Sequence, residues 1–178
     1  QNKKITSAIA GEVVDGPYLS AKQTVHDYRM EDRIEVRLGD GLQILTKEDR
    51  ITAVTICGMG GELISRILEA GYSGSHLNGR ERLILQPNVA EHFVREWLMN
   101  HSYQIVEETV VSDNHRLYEI IVAEPSNEQV EYTELELKYG PILLKEPSEL
   151  SVAKWKRTNR KNKEILEQLQ KSKTPQHE

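Results

Sequence analysis

The stretch Ile56-Cys57-Gly58-Met59-Gly60-Gly61 joins a β-prone run, residues 51–56, to residues 63–71, whose apolar side chains recur at helical spacing. A strand that passes into a helix through a glycine-rich turn is typical of an α/β sheet. Because ligands bind beyond the carboxyl ends of the strands in such sheets, junctions of this kind predict a ligand site. Three similar junctions occur: Ala8-Ile9-Ala10-Gly11-Glu12, Val36-Arg37-Leu38-Gly39-Asp40-Gly41 and Leu83-Ile84-Leu85-Gln86-Pro87-Asn88.

The order of elements around these junctions predicts the fold class. A helix is expected from Pro17, which fits a first helical position, and another over residues 93–98. This β-α-β-α order predicts a parallel sheet with right-handed crossovers. Only a few residues separate the runs Gln104–Val111 and Leu117–Ala123. Two strands joined by so short a connection must pair as an antiparallel hairpin. A parallel sheet closed in this way resembles the Rossmann-like class I S-adenosylmethionine-dependent methyltransferase fold.

The composition becomes polar and helix-prone after Glu124-Pro125. We therefore expect a methyltransferase domain over residues 1–124 and a C-terminal appendage over residues 125–178. A helix is predicted over residues 128–139, where Gly140-Pro141 stops it, and a longer one follows Ser148. We expect these helices to form a helical hairpin or coiled coil.

The overall composition limits the class of protein. The 178 residues are 38 % hydrophobic and 29 % charged, and no run of 18 apolar residues predicts a membrane span. The single Cys57 excludes an internal disulfide and suits a reducing, cytoplasmic compartment; we expect it to be a small core residue. The six histidines lack metal-ligand spacing, so we expect no metal. We also expect a monomer rather than an obligate oligomer.

Charge is distributed unevenly along the chain. Residues 151–174 carry eight Lys or Arg against two Glu, a balance of +6, whereas the rest of the chain sums to −11. A basic segment on an acidic body indicates that any contact with a polyanion involves that segment. The alternative is a helix face whose charges only contact water.

Two carboxylates stand at the ends of neighbouring predicted strands. Glu12 suits the hydroxyl groups of a ribose, since a carboxylate in this place accepts both of their hydrogens. Asp40 lies between two glycines, which allow a ring to approach the backbone closely, and its carboxylate suits an adenine amine. The alternatives are a solvent-facing loop for Glu12 and a plain turn for Asp40.

The third and fourth junctions carry the remaining candidates. A dinucleotide fingerprint requires glycine at position 63, where Leu63 stands, so the three glycines at 58, 60 and 61 indicate another flat ligand or a methyl donor. Gln86 and Asn88 suit the edge of a substrate base and are our candidate catalytic residues. Helix capping is the alternative for Asn88.

The quoted junctions, together with Leu117-Tyr-Glu-Ile-Ile-Val-Ala-Glu124, resemble the bacterial tRNA (adenine-22-N1)-methyltransferases over residues 5–124. The resemblance implies S-adenosylmethionine as the methyl donor and adenine 22 of the tRNA D-arm as the target. It implies a coiled-coil appendage at the C-terminus. It also implies that the donor is bound by residues Glu12, Val13, Asp40, Gly41, Gly58, Met59 and Gly60.

One feature of that family is missing from this sequence. Its first strand ends in an Asp-Ile-Gly-Ser-Asp-His-Ala-Tyr-Leu-Pro type motif that contacts methionine, and this chain starts after it. The missing strand is expected at the centre of the sheet, so the methionine-binding residues are expected upstream of Gln1.

The basic segment, residues 151–174, is a candidate for RNA binding. Basic side chains there would hold phosphates while an indole stacks on a base; the residues are Lys154, Trp155, Lys156, Arg157, Arg160 and Lys161. Two alternatives to a tRNA methyltransferase remain open at this point. A small-molecule methyltransferase would not need the basic tail, and a catalytically inactive RNA-binding relative would keep it.

Overall fold

The computed structural model describes residues 5–172, with side chains up to residue 168. Strands and α-helices alternate through the first hundred residues, except that the second and third strands are joined by two short 3-10 helices, Gly41–Ile44 and Lys47–Asp49. The elements are β1 (Ala8–Glu12), α1 (Asp15–Asp27), β2 (Ile34–Leu38), β3 (Ala53–Met59), α2 (Gly61–Ser73), β4 (Arg82–Pro87), α3 (Glu91–Asn100), β5 (Tyr103–Asp113), β6 (Arg116–Pro125), α4 (Glu134–Tyr139), α5 (Pro141–Lys145) and α6 (Glu149–Ser172).

The strands form two sheets. β1 and β2 pair in parallel, while β3, β4, β6 and β5 form a four-stranded sheet in that order. β3 and β4 are parallel, and the β5–β6 hairpin joins β4 antiparallel. The predicted parallel sheet closed by an antiparallel hairpin is therefore confirmed.

The two sheets are not joined by strand pairing. Within residues 5–172, β1 and β2 pair only with each other, and β3 pairs only with β4. The central strand that the sequence resemblance expects is not among the described strands. β1 and β3 both end beside glycine-containing junctions that the sequence singles out.

Helices α2 and α3 cover one face of the four-stranded sheet. Both are amphipathic, and their apolar side chains interlock with those of β4 and β6. Complete burial of such side chains contributes about 1.5–3 kcal/mol each. The fully buried leucine, isoleucine and valine side chains are Ile64, Leu68, Leu83, Leu85, Val94, Leu98 and Ile121.

Strand β3 shows that the opposite face is open. Its residues alternate, so that Val54 and Ile56 face the core while Thr55 and Cys57 are exposed. The prediction that Cys57 is a core residue is therefore wrong, because its side chain points to the face that α2 and α3 leave uncovered.

The first helix and the C-terminal helices differ from their predicted limits. α1 begins at Asp15, so Pro17 is its third residue rather than its first. α4 begins at Glu134 instead of near residue 128, because Thr133 forms a capping box with Glu136. It ends before Gly140, as predicted, and the Ser148 Oγ accepts a hydrogen bond from the Ser151 N–H at the start of α6 (3.1 Å).

The first part of the segment after β6 packs against the main domain, and its last part is exposed. α4 contacts α3, while α5 and the start of α6 contact β5. Tyr139 touches α6 at Trp155, with ring centroids 5.5 Å apart. Side chains 156–168 of α6 are all exposed. The domain boundary at residue 124 and the helical hairpin stay predictions.

No helix in residues 5–172 is both long and apolar enough to cross a membrane.

Candidate functional site

The ends of β1 and β2 bring the two predicted carboxylates to one edge of the parallel pair. Glu12 is the last residue of β1 and pairs in register with Leu38, the last residue of β2. The Gly39 N–H donates to the Glu12 carbonyl (2.8 Å), which holds the chain beside β1 as it turns toward Asp40. Glu12 is half-buried, and Asp40 is exposed. Glu12 at the end of β1 and Asp40 two residues after β2 therefore lie at the carboxyl ends of adjacent strands.

Arg37 fixes the loop that follows Asp40, a role that the sequence pattern does not predict. Its guanidinium donates to the Ile44 carbonyl (2.8 Å) and to both carboxylate oxygens of Asp49 (2.6 and 2.7 Å). The Arg37 guanidinium and the Thr46 N–H hold the pKa of Asp49 well below its usual range. The pair thus stays charged near neutral pH. The sequence has no local signal for this contact, because Arg37 and Asp49 are 12 residues apart.

The glycine turn after β3 is shaped by two different constraints. Gly58 has φ +79°, a left-handed conformation that favours glycine, and no described atom lies within 4 Å of a Cβ built on it. Gly60 precedes α2. A Cβ on Gly61 would lie 2.8 Å from the Ala90 carbonyl carbon, so Gly61 allows α2 to begin against the loop that follows β4. The turn therefore combines open space at Gly58 with close packing at Gly61.

Gln86 and Asn88, at the end of β4, contact this turn directly. Gly58 N–H donates to Gln86 Oε1 (2.8 Å), and Gln86 Nε2 donates to Asn88 Oδ1 (3.0 Å). Asn88 Nδ2 donates in turn to the Gly58 carbonyl (2.7 Å). The two predicted base-positioning residues are therefore joined to each other and to the glycine turn.

Apolar side chains are exposed along the same stretch of the sheet edge. They belong to the end of β3, the loop after β4 and the first turns of α2 and α3. The His92 and Phe93 rings lie 4.4 Å apart between centroids. These side chains offer apolar contact area for a flat ring; they are Met59, Leu63, Val89 and Phe93.

A buried charge network, which the sequence does not predict, holds the start of α6. Arg95 Nε donates to Glu108 Oε1 (2.8 Å), and Arg95 Nη2 donates to Glu119 Oε2 (2.5 Å), all three side chains being almost fully buried. Lys154 Nζ donates to Glu119 Oε1 (2.8 Å) and also pairs with Glu91. This network joins α3, β5 and β6 to α6.

The six predicted RNA-binding residues fall into two groups. Lys154 lies in that network, and Trp155 is half-buried against Tyr139, its indole N–H fully buried and without a hydrogen-bond partner in the described chain. The other four predicted residues, Lys156, Arg157, Arg160 and Lys161, are exposed on α6. The Arg157 guanidinium lies 3.5 Å from the His115 carbonyl at the tip of the β5–β6 hairpin. Only the second group presents cations to solvent.

A metal centre is not evident in the region that the structure covers. The side chains described between residues 5 and 168 contain no group of three or more His, Cys, Asp or Glu that could hold a metal ion.

Comparison with known proteins agrees with this arrangement. A sequence model of the family described as tRNA (adenine(22)-N(1))-methyltransferase matches residues 1–178. The Bacillus subtilis (strain 168) enzyme of that name is 41 % identical over 172 residues, which cover 94 % of this chain and 71 % of the relative.

Solved structures give the same result. The crystal structure of the B. subtilis m1A22 tRNA methyltransferase has a TM-score of 0.87 at 39 % identity, covering 99 % of this chain and 75 % of that one. A Streptococcus pneumoniae protein solved with S-adenosyl-L-methionine has a TM-score of 0.86 at 43 % identity, covering 94 % and 76 %. The chain belongs to the tRNA (adenine(22)-N(1))-methyltransferase family.

Proposed function

We propose that this chain transfers a methyl group from S-adenosylmethionine to N1 of adenine 22 in the D-arm of tRNA. The observation that carries the proposal is a glycine turn held by an amide pair at the carboxyl ends of β3 and β4, together with two acidic residues at the carboxyl ends of β1 and β2. The family match over the whole chain supports it, as does the relative solved with S-adenosyl-L-methionine.

The described residues fit the donor. Glu12 suits the ribose and Asp40 the adenine, while the open space at Gly58 admits the donor beside the strand end. Val13, Gly41, Met59 and Gly60 are the other residues of this chain in the proposed donor site. When bound, S-adenosylmethionine supplies an electrophilic methyl group.

The reaction places few demands on proton transfer by the protein. N1 of adenine carries its own lone pair, so no side chain of this chain needs to act as a general base. The protein must hold the base in line and exclude water, which lowers the barrier through proximity and orientation. Because the methylated base is cationic, amide and carbonyl oxygens near it stabilise the developing charge. The Gly58 carbonyl is a candidate for this role.

The target base must leave its stack to reach this edge. Enzymes that modify a base inside a folded arm extrude it and bind it against apolar or aromatic side chains. The exposed apolar side chains Met59, Val89 and Phe93 provide such a surface. We also propose that the enzyme acts as a monomer in the cytoplasm, where unmodified tRNA is available.

Radiolabelled methyl transfer tests the proposal against its rivals. We expect incorporation into unmodified tRNA and none into free adenosine or AMP. Incorporation into the small molecules at equal rates would indicate a small-molecule methyltransferase. Donor binding without transfer to any RNA, or no donor binding, would indicate an inactive relative.

Replacing Asp40 with alanine tests the donor site. Loss of a hydrogen bond to a charged group costs about 1.5–3 kcal/mol, so we expect donor affinity to fall roughly 10- to 100-fold. Isothermal calorimetry measures this directly. Asp32→Ala is the matched control, because Asp32 lies before β2, at the opposite end of that strand. Equal donor affinity in the wild type and Asp40→Ala would remove Asp40 from the site.

Removing basic residues from α6 tests the RNA interface. The variant Arg160→Ala/Lys161→Ala is expected to weaken tRNA binding and to lower the slope of log affinity against log salt by about 0.7–0.9 for each phosphate that is no longer neutralised. Donor affinity should not change. The control Lys47→Ala/Arg50→Ala removes the same charge beside the start of β3, at the other end of the sheet. An equal salt slope in all three proteins would show that the α6 charges only contact water.

A further inference from the structure

Gln86 and Asn88 form a closed ring of hydrogen bonds with a single residue, Gly58. The Gly58 N–H donates to one amide and its carbonyl accepts from the other, while the two amides are joined to each other. All three distances lie between 2.7 and 3.0 Å. Both backbone polar groups of Gly58 are therefore satisfied by side chains of the neighbouring strand.

The ring fixes the orientation of both amides. A backbone N–H only donates and a carbonyl only accepts, so the Gln86 oxygen must face Gly58 N and the Asn88 nitrogen must face Gly58 O. The remaining nitrogen and oxygen then match each other across the ring. Flipping either amide would set two donors or two acceptors against each other.

The ring of hydrogen bonds takes the place of strand pairing at Gly58, where the regular pairing of β3 with β4 is interrupted. Cys57 pairs with Gln86 and Met59 with Pro87, so Gly58 is the extra residue of a bulge. Pro87 has no N–H to donate. Pairing resumes through the Asn88 N–H, which donates to the Met59 carbonyl (2.7 Å). Without the two amides, the polar groups of Gly58 at the bulge would have no partner on β4.

We propose that Gln86 and Asn88 are positioning residues that act on methyl transfer by fixing the Gly58–Gly60 turn, rather than by binding the target base. This inference rests on the proposed function, which places the methyl donor and the base at this turn. The Gly58 conformation, with φ +79°, is the feature that the ring stabilises. The rate of the chemical step depends on that conformation, whereas tRNA affinity does not.

The test combines amide hydrogen exchange with steady-state kinetics. In Gln86→Ala the Gly58 N–H has no acceptor, so we expect its exchange to accelerate about tenfold, the effect of one hydrogen bond. We expect kcat for tRNA methylation to fall by about the same factor, with KM for tRNA unchanged, because the change affects only alignment in the reacting complex. Asn88→Ala should lower kcat in the same way.

Two further variants serve as controls. Gln86→Glu offers a carboxylate oxygen in place of the amide oxygen as acceptor for the Gly58 N–H, so its Gly58 exchange should stay close to that of the wild type. It loses the donor to Asn88 and sets a carboxylate oxygen against Asn88 Oδ1, so its kcat should lie below that of the wild type while its Gly58 exchange stays slow. Asn100→Ala changes an exposed asparagine at the end of α3 and should alter neither measurement.

Distinct results would overturn the inference. A raised KM for tRNA in Gln86→Ala and Asn88→Ala, with Gly58 exchange unchanged, would mean that the amides bind the base. Faster exchange with unaltered kcat would mean that the ring has no part in methyl transfer. If the wild type methylated no tRNA, the proposed function itself would fail. Hydrogen exchange of the Gly58 N–H in Gln86→Ala would still show whether the ring holds Gly58. An exchange rate equal to that of the wild type would show that it does not.

Discussion

Replacing Arg95 with leucine will destabilise the protein by about 3–5 kcal/mol, the cost of leaving buried charges without a partner. The carboxylates of Glu108 and Glu119 both accept hydrogen bonds from Arg95, and all three side chains lie within the packed interface of α3, β5 and β6. Arg95 Nη1 also donates to the Leu137 carbonyl (3.1 Å), which ties α4 to α3. Loss of the guanidinium would therefore loosen the attachment of the C-terminal helices as well.

Urea unfolding followed by circular dichroism measures this effect. The matched control is Arg82→Leu, whose partner Glu124 is, like Arg82 itself, about half exposed. Pairs in solvent contribute little, so that variant should be destabilised by no more than about 1 kcal/mol. Equal unfolding free energies for the two variants would show that the buried network does not stabilise the fold.

The second large effect is expected at Gly61, where alanine has no room. Its Cβ would lie 2.8 Å from the Ala90 carbonyl carbon and 3.2 Å from the Val89 carbonyl oxygen, both backbone atoms. Gly61 N–H also donates to that Val89 oxygen (2.8 Å), so the loop cannot withdraw without breaking a hydrogen bond. We expect Gly61→Ala to cost about 1–3 kcal/mol of stability and to displace the glycine turn.

The control for this variant is Gly16→Ala. No described atom lies within 4 Å of a Cβ built on Gly16, and the residue lies in α1. Alanine there should leave stability unchanged or raise it by about 0.5–1 kcal/mol. Thermal unfolding and donor titration of both variants provide the comparison. A Gly61→Ala protein as stable as the wild type, with full donor affinity, would contradict the close packing of α2 against the loop after β4.

The fold follows from the sequence because its signals are local. The alternation in Ile34–Leu38, the apolar spacing of residues 63–71 and the short gap between β5 and β6 each specify an element without reference to distant residues. The class I topology then follows from the order of the elements. The predicted start of α4 is wrong because the polar run before Thr133 is compatible with a helix, whereas the capping box at Thr133 begins the helix later.

The site is predicted less completely, because its contacts join residues far apart in the chain. Glu12 and Asp40 can be identified by their place at strand ends, and the structure puts them at one edge. The ring through Gly58 depends on the register of β3 and β4, which periodicity does not specify. Lys154 resembles a free cation in the sequence because its partners are 35 and 63 residues away.

Cys57 illustrates the same limit. A small apolar residue in a β-prone run is normally buried, yet its exposure depends on which face of the sheet the helices cover. In residues 5–172 the helices α2 and α3 cover the other face. Sequence alternation alone shows that the two faces differ but not which of them is covered.

The most direct test of the central claim maps the methyl group on the RNA. Unmodified tRNA is incubated with the enzyme and S-adenosylmethionine and then copied by reverse transcriptase, which stops at a base whose N1 is methylated because that base no longer pairs. The account predicts a stop at position 22 and none when adenine 22 is replaced by guanine in the same tRNA. A stop at another position, or transfer to the guanine 22 tRNA as rapid as to the adenine 22 tRNA, would contradict it.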